Sequence, residues 1–342
     1  MEKIFQDLLR GITAALPEAP RPASFLRDYL FTAPEFFASG DIDIAQFRSS
    51  RGIAVATPRG APGTFTEKTG YSGRVVTPPS FKPKKLITAL DLTKRLPGDG
   101  MTVNGQNRNG ALSQLAAQIM DELDQEISRS EILQGFQALQ DASISIYGAT
   151  GDVIGTIATG RDSSLNVANV TLKWTDTDAD PLGDVNKEGD NVQKLSGFPA
   201  DYVLVGSAAA AAAQNHAGVQ KALSSDWSDR GRLDNTLEAT GARRIGRIDG
   251  RDWWSVPDYY RHPKTGVLTA YMNTNRFVVG STMAGLSPLY ALVDDVENPV
   301  AAERSMKSWP EKDPSGYVYQ MLSAVVVIPK NPNAHGCKTA IF

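Results

Sequence analysis

The sequence predicts an α+β fold organised along one long helix, and three observations carry that reading. Residues 109–142, NGALSQLAAQIMDELDQEISRSEILQGFQALQDA, place Leu112, Leu115, Ala116, Ile119, Leu123, Ile127, Leu133, Phe136 and Leu139 at steps of three and four. That is the 3.6-residue period of a single buried stripe. Strand-like runs alternate with shorter helical ones along the rest of the chain. At 342 residues the chain is long enough for two packed regions.

The long helix would extend about 50 Å, which suits the spine of a flat, extended subunit better than one of several equal helices. Asn107 or Asn109 can cap its start, and Gly135 is its internal weak point. Before it, Glu2–Leu16 reads as an amphipathic helix through Ile4, Phe5, Leu8, Leu9 and Ile12, stopped by Pro17, Pro20 and Pro22. SFLRDYLF and then GDIDIAQF follow, the latter alternating Ile42, Ile44 and Phe47 as a strand would. Such an arm has little core of its own.

Composition changes between Arg48 and Arg95. This stretch holds ten basic residues (Arg48, Arg51, Arg59, Lys68, Arg74, Lys82, Lys84, Lys85, Lys94, Arg95) against Glu67 and Asp91, with five prolines and five glycines. Short β-prone runs, IAVAT and RVVT, are separated by turn signals such as TPRGAPG and TGYSG, which predicts a long irregular hairpin. So basic a hairpin cannot bury much of itself and should project towards an acidic partner.

After the spine, SISIYGATGDVIGTIA alternates around a Gly-rich turn as a β-hairpin beside the helix. Asp176, Asp178, Asp180 and Asp184 are the tempting metal ligands, because alternate carboxylates can surround Ca²⁺. Counted from Asp176, the sixth position is Pro181 where a calcium loop needs Gly, and the twelfth is Lys187 where it needs Glu. A solvated acidic loop leading into a helix at Pro181 fits better. ADYVLVG reads as a buried strand, and SAAAAAAQNHAGVQKAL as one helix from a Ser cap. Residues 226–264 mix Arg and aromatics, but seven aspartates and glutamates are interleaved, so no clean nucleic-acid face is implied. GVLTAYM, NRFVVG, PLYALV and YVYQMLSAVVVIP supply further strands, the last apolar enough to be central.

Catalysis has little to work with. His216, His262 and His335 have no Ser, Cys or paired carboxylate in a recognised pattern, and no G-x-S-x-G, HExxH, Walker or GxGxxG motif occurs. We therefore expect no enzyme activity and no cofactor. Cys337 is the single cysteine, which allows no intrachain disulfide and fits a reducing compartment. There is no apolar run of membrane-spanning length and no signal peptide pattern at the N-terminus. A cytosol-like space and no membrane are the expectation.

Several segments together carry a resemblance. RGIAVATPRGAPG, GYSGRVVTPPSFKPKKLITALDLTKRLPGD, KWTDTDADPLGDV, GFPADYVLVGSAAAAA and SWPEKDPSGYVYQMLSAVVVIPKNPNA resemble the phage major capsid protein E family, typified by the head protein of phage lambda. The KPKKLIT and LTKRLPGD portion is the most specific. The resemblance implies the tailed-phage capsid fold of the Hong Kong 97 type: an N-terminal arm (1–47), an extended loop (48–100), a peripheral domain around the spine helix (101–185), an axial domain (186–290) and C-terminal strands returning to the core (291–342). It implies a major capsid protein that self-assembles through hexamers and pentamers into an icosahedral head around double-stranded DNA held non-specifically. Its further partners would be a scaffolding protein, a portal and a decoration protein, with assembly in the bacterial host cytoplasm and final residence in the virion. A nanocompartment shell of the same fold, or a carboxylate-metal hydrolase using residues 176–184, are the alternatives.

Charge segregation suggests where copies meet. Residues 48–95 carry net +8, while 109–142 carry Asp121, Glu122, Asp124, Glu126, Glu131 and Asp141 against Arg129, net −5. Since the resembled fold lays its extended loop across a neighbouring subunit, we expect Lys82, Lys84, Lys85 and Arg95 to approach Asp121, Glu122, Asp124 and Glu126 of an adjacent spine.

Overall fold

The structure is a computed structural model that describes residues 24–48, 70–88, 91, 107–224, 231–233, 241–295 and 299–342. The expected helix at Glu2–Leu16, the IAVAT run and Arg95 lie outside the described residues. The first described elements are α1 (Phe25–Leu30), β1 (Glu35–Phe36), β2 (Ile42–Arg48), β3 (Gly70–Val76), β4 (Ser80–Phe81) and β5 (Lys84–Thr88). The spine follows as α2 (Asn107–Asp141), then β6 (Ser143–Tyr147), β7 (Val153–Ala158) and β8 (Ala168–Asn169). Next come α3 (Pro181–Ser196), β9 (Tyr202–Val205), α4 (Ser207–Asn215), α5 (Ala217–Ser224), β10 (Gly231–Leu233), β11 (Arg243–Ile248), β12 (Arg251–Ser255), β13 (Tyr259–Arg261) and β14 (Leu268–Ala270). The chain closes with β15 (Arg276–Gly280), β16 (Leu286–Tyr290), β17 (Ser305–Glu311), β18 (Gly316–Pro329) and β19 (His335–Thr339).

The spine is a 35-residue helix. Its stripe serves two neighbourhoods in succession. Ala116, Met120, Leu123 and Ile127 pack with Ile87, Tyr319 and Met321 of β5 and β18, whereas Ile132, Phe136 and Leu139 enter the main core with α1 and the sheets. Gly135 is what lets α1 approach: a Cβ there would sit 2.9 Å from Leu26 Cδ2 and 3.2 Å from Leu286 Cδ1. No basic residue occupies the last turn of α2. The missing complement arrives from elsewhere, since Arg161 donates to the Leu139 and Gln140 carbonyls at 2.6 and 2.9 Å, satisfying groups that have no partner within the helix.

Two sheets meet the spine. In the first, β1-β16-β18-β17 are neighbours, and β4 and β5 also pair with the 14-residue β18. The second has seven strands in the order β10-β11-β12-β9-β15-β19-β8, with β12–β9 and β8–β19 parallel and its other pairs antiparallel. Central β9 is buried at every residue. Tyr202 and Leu204 face the core shared with α1 and α2, while Val203 and Val205 face a second core against α3, α4 and α5. A strand covered on both faces has no polar side to show, hence the unbroken YVLV.

Three two-stranded ribbons accompany these sheets: β2–β3, β6–β7 and β13–β14. Strand β2 pairs with β3 along its whole length, from Ile42↔Val76 to Arg48↔Gly70, so the alternating IDIAQF run is one leg of the basic hairpin. The Ala-rich segment differs from expectation. It forms two helices rather than one, its cap residue is Gly206, and Ser207 is the first helical residue. His216 makes the break with an extended ψ of 130°, and its ring Nδ1 accepts from the Gly218 N–H at 3.3 Å at the start of α5.

Candidate assembly surfaces

The basic β5 edge and the acidic spine meet within a single chain. Lys85 reaches Glu122 at 2.6 Å and Glu126 at 3.1 Å, and Lys82 reaches Asp294 at 2.8 Å. Burial pulls the Lys85 pKa down, but the hydrogen bonds and charges of Glu122 and Glu126 outweigh it and raise the pKa overall. These pairs are exposed enough that each contributes only about 0–1 kcal/mol. Lys84 is exposed and in register with Gln320 of β18. Asp121 accepts from Gln125 Nε2 one turn along, at 2.9 Å.

Asp124 departs from the expected acidic face. It is 3 % exposed and accepts from Arg304 Nε at 2.5 Å, because the 3.6-residue period turns it inward beside Ile127 and Glu131. Arg304 also donates to Glu131 Oε1 at 2.7 Å and to Ser128 Oγ at 3.1 Å. Glu131, 1 % exposed, further binds Arg27 of α1 and accepts from Tyr290 Oη at 3.0 Å. Burial alone would lower the Arg304 pKa, yet Glu131 and then Asp124 raise it, so the guanidinium is held charged. This network ties α1, the spine, β16 and the segment before β17 together. Sequence reasoning missed it, since Arg27 and Arg304 lie 104 and 173 residues from Glu131.

A second buried polar group lies beside Arg161, the residue that covers the last turn of the spine. His335 Nδ1 lies 2.8 Å from Tyr202 Oη, and Nε2 lies 2.8 Å from the Ala284 carbonyl. Burial, with the nearby Arg161 charge, lowers its pKa to about 4, so the ring is neutral near pH 7. Cys337 on the same strand is buried, which pushes its thiol up to about 12. The acidic loop resolves as local structure: Asp180 caps α3 by accepting from the Gly183 N–H at 3.0 Å, and Asp184 accepts from Trp174 Nε1 at 3.0 Å. Among the described residues no three His, Cys, Asp or Glu side chains gather as metal ligands would. No described helix is long and apolar enough to cross a membrane.

The sequence profile of the phage major capsid protein E family matches residues 9–336. The chain belongs to that family. As a phage major capsid protein E it has the Hong Kong 97-type fold, and it is a shell subunit that self-assembles. A crystal structure assigned as the capsid protein of a prophage in E. coli CFT073 superposes with a TM-score of 0.69 at 15% identity, covering 100% of this chain and 98% of that one. The mature capsid of bacteriophage PhiM1 matches at TM-score 0.49 and 11% identity over 92% and 86% of the two chains. The encapsulin of Synechococcus elongatus PCC 7942 matches at 0.48 and 11% over 96% and 95%. No curated protein matches the capsid protein significantly.

Proposed function

We propose that this capsid protein builds the icosahedral head of a tailed phage in the cytoplasm of its bacterial host and encloses double-stranded DNA without sequence preference. The family match over residues 9–336 carries the reading. Scaffolding protein and portal are its partners during assembly, and a decoration protein is the partner outside. The division into arm, extended loop, peripheral and axial regions follows from the same membership. The β2–β3 ribbon is the extended loop, the spine with β6–β7 and β18 the peripheral region, and the seven-stranded sheet the axial one.

Between copies, we assign Lys84 and Arg95 to contacts that set subunit register with Asp121, Glu122 and Glu126, since Lys82 and Lys85 already pair within the chain, with Asp294 and with Glu122 and Glu126. Glu122 and Glu126 keep 59% and 45% of their side-chain surface beside Lys85, which leaves room for a second cation. Asp124 is withdrawn from this set, because Arg304 already holds it. Complementarity of this kind governs rate and specificity more than affinity.

Electron microscopy of the expressed full chain tests the function. Uniform hollow particles are expected, and isolated subunits should bind duplex DNA weakly and with steep salt dependence. Stable monomers of 36.8 kDa at high concentration with scaffold present would overturn the reading, since obligate assembly follows concentration. Particles that enclose protein cargo and exclude DNA would overturn the phage-head assignment while retaining the shell.

A further inference from the structure

Strand β7 is an unprotected edge. Among the described residues it pairs only with β6. Its Val153 and Ile154 are 54% and 72% exposed, and Thr156 and Ala158 are exposed beside them. Residues 153–160, VIGTIATG, contain no charge and no proline, the two devices that ordinarily keep an edge from pairing with another chain. The other face of the ribbon is committed: Ile144 is fully buried, and Ile157 packs against the same core.

The ladder says which backbone groups are free. The Thr159 N–H donates to the Ala142 carbonyl at 2.8 Å, one pair beyond Ser143↔Ala158. Antiparallel pairs alternate between bonded and non-bonded positions, so residues 155, 157 and 159 turn their N–H and C=O groups to β6. Thr156 and Ala158 turn theirs outward. Ile154 stands at the register shift between Ile146↔Gly155 and Tyr147↔Val153, a bulge that swings it to the open side.

We propose that β7 is a homotypic interface: it pairs antiparallel with β7 of a second copy about a two-fold axis at Thr156, joining two ribbons into the four-stranded sheet β6-β7-β7-β6. Three features select a second copy as occupant. An icosahedral shell has two-fold axes, and a contact across such an axis joins the same surface of both copies. An edge without charge meets itself with no like charges opposed. Centring on Thr156 uses the outward groups of both strands, setting Thr156 against Thr156 and Ile154 against Ala158, and it keeps both ribbon cores on one side as a shell wall demands. The ribbon's turn packs closely on the turn after β13, where a Cβ on Gly151 would sit 2.4 Å from the Lys264 nitrogen, with the exposed Asp152–Lys264 pair at 2.6 Å beside it.

The inference rests on shell assembly, and the experiment separates the two. Full-length wild type, Thr156→Lys, Thr156→Cys and Ala158→Cys are compared for particle yield, with thermal unfolding of unassembled subunits as the folding control. Thr156 is exposed, so Thr156→Lys should unfold at the wild-type temperature. Lysines directly opposed across the strand pair repel, and the same repulsion recurs at every such contact of a shell, so its particle yield should fall by at least about tenfold. Oxidised Thr156→Cys should give disulfide-linked dimers, since directly opposed residues lie about 5.5 Å apart at Cα. Ala158→Cys should not, because its own copy would stand about 14 Å away. Wild-type yield from Thr156→Lys, linkage at 158 instead of 156, or strong amide protection of Thr156 and Ala158 in unassembled subunits would each overturn the pairing. The last result would give the edge to another segment of the same chain. Should wild type form no particles, shell assembly fails instead, and oxidation of concentrated Thr156→Cys subunits still decides the edge.

Discussion

Replacing Arg304 with Met tests the buried network that fixes α1 and the C-terminal strands to the spine. The guanidinium is the hydrogen-bonding partner of Asp124, which is 3 % exposed, and it shares Glu131 with Arg27 and Tyr290. Arg304→Met fills similar volume but leaves the Asp124 carboxylate buried beside apolar neighbours. Removing one partner of a buried pair costs about 3–5 kcal/mol, and here the upper half of that range is moderated because Glu131 keeps two partners. We expect about 3–4 kcal/mol, read as a lowered urea midpoint at constant slope in unassembled subunits. The reciprocal change is milder: Asp124→Asn keeps a hydrogen-bond acceptor, and Arg304 retains Glu131. The double variant Arg304→Met with Asp124→Leu should recover at least half of the single loss, because an apolar replacement of a buried ion pair is often neutral. The reasoning fails if Arg304→Met costs less than about 1 kcal/mol, or if the double variant is no more stable than the single.

Three further outcomes follow from the same structure. His335 is neutral in the folded state down to about pH 4, whereas the unfolded chain takes up its proton near 6.5, so stability should fall by up to about 3 kcal/mol as pH drops from 6.5 to 4. His335→Gln should flatten that part of the profile, measured by urea midpoints across pH, with buried Glu188, whose pKa burial raises, contributing in the opposite sense. Asp180→Ala removes the cap of α3 and should cost about 0.5–2 kcal/mol without changing metal dependence, checked by thermal unfolding with and without Ca²⁺. Cys337 should resist thiol reagents at pH 8 in the folded subunit and react fully in urea, since its thiol is buried and its pKa is pushed up to about 12.

Much of the architecture is legible in local sequence. The period of residues 109–142 determines the spine, because a 3.6-residue stripe can bury itself only as a helix. YVLV and the long apolar run before Pro329 declare central strands by offering no polar face. Pro181 marks a helix start after the acidic loop, and Pro181 and Lys187 stand where a calcium loop needs Gly and Glu. The segments quoted for their resemblance likewise point to the capsid family by themselves.

Tertiary structure alone decided where the charges go. Net charge places Asp121, Glu122, Asp124 and Glu126 on one acidic helix, but the angle of each side chain to the core separates them: Asp124 is buried against Arg304, while Glu122 and Glu126 stay at the surface near Lys85. Chain separation hides such pairings, since nothing near Glu131 in sequence announces Arg27 or Arg304. The same holds for Arg161, which completes a helix end whose own last turn has no cation, and for β7, whose open edge exists only because no other described strand lies alongside it. Period and composition are properties of neighbours along the chain, and they specify elements; partners across the fold are set by how those elements pack.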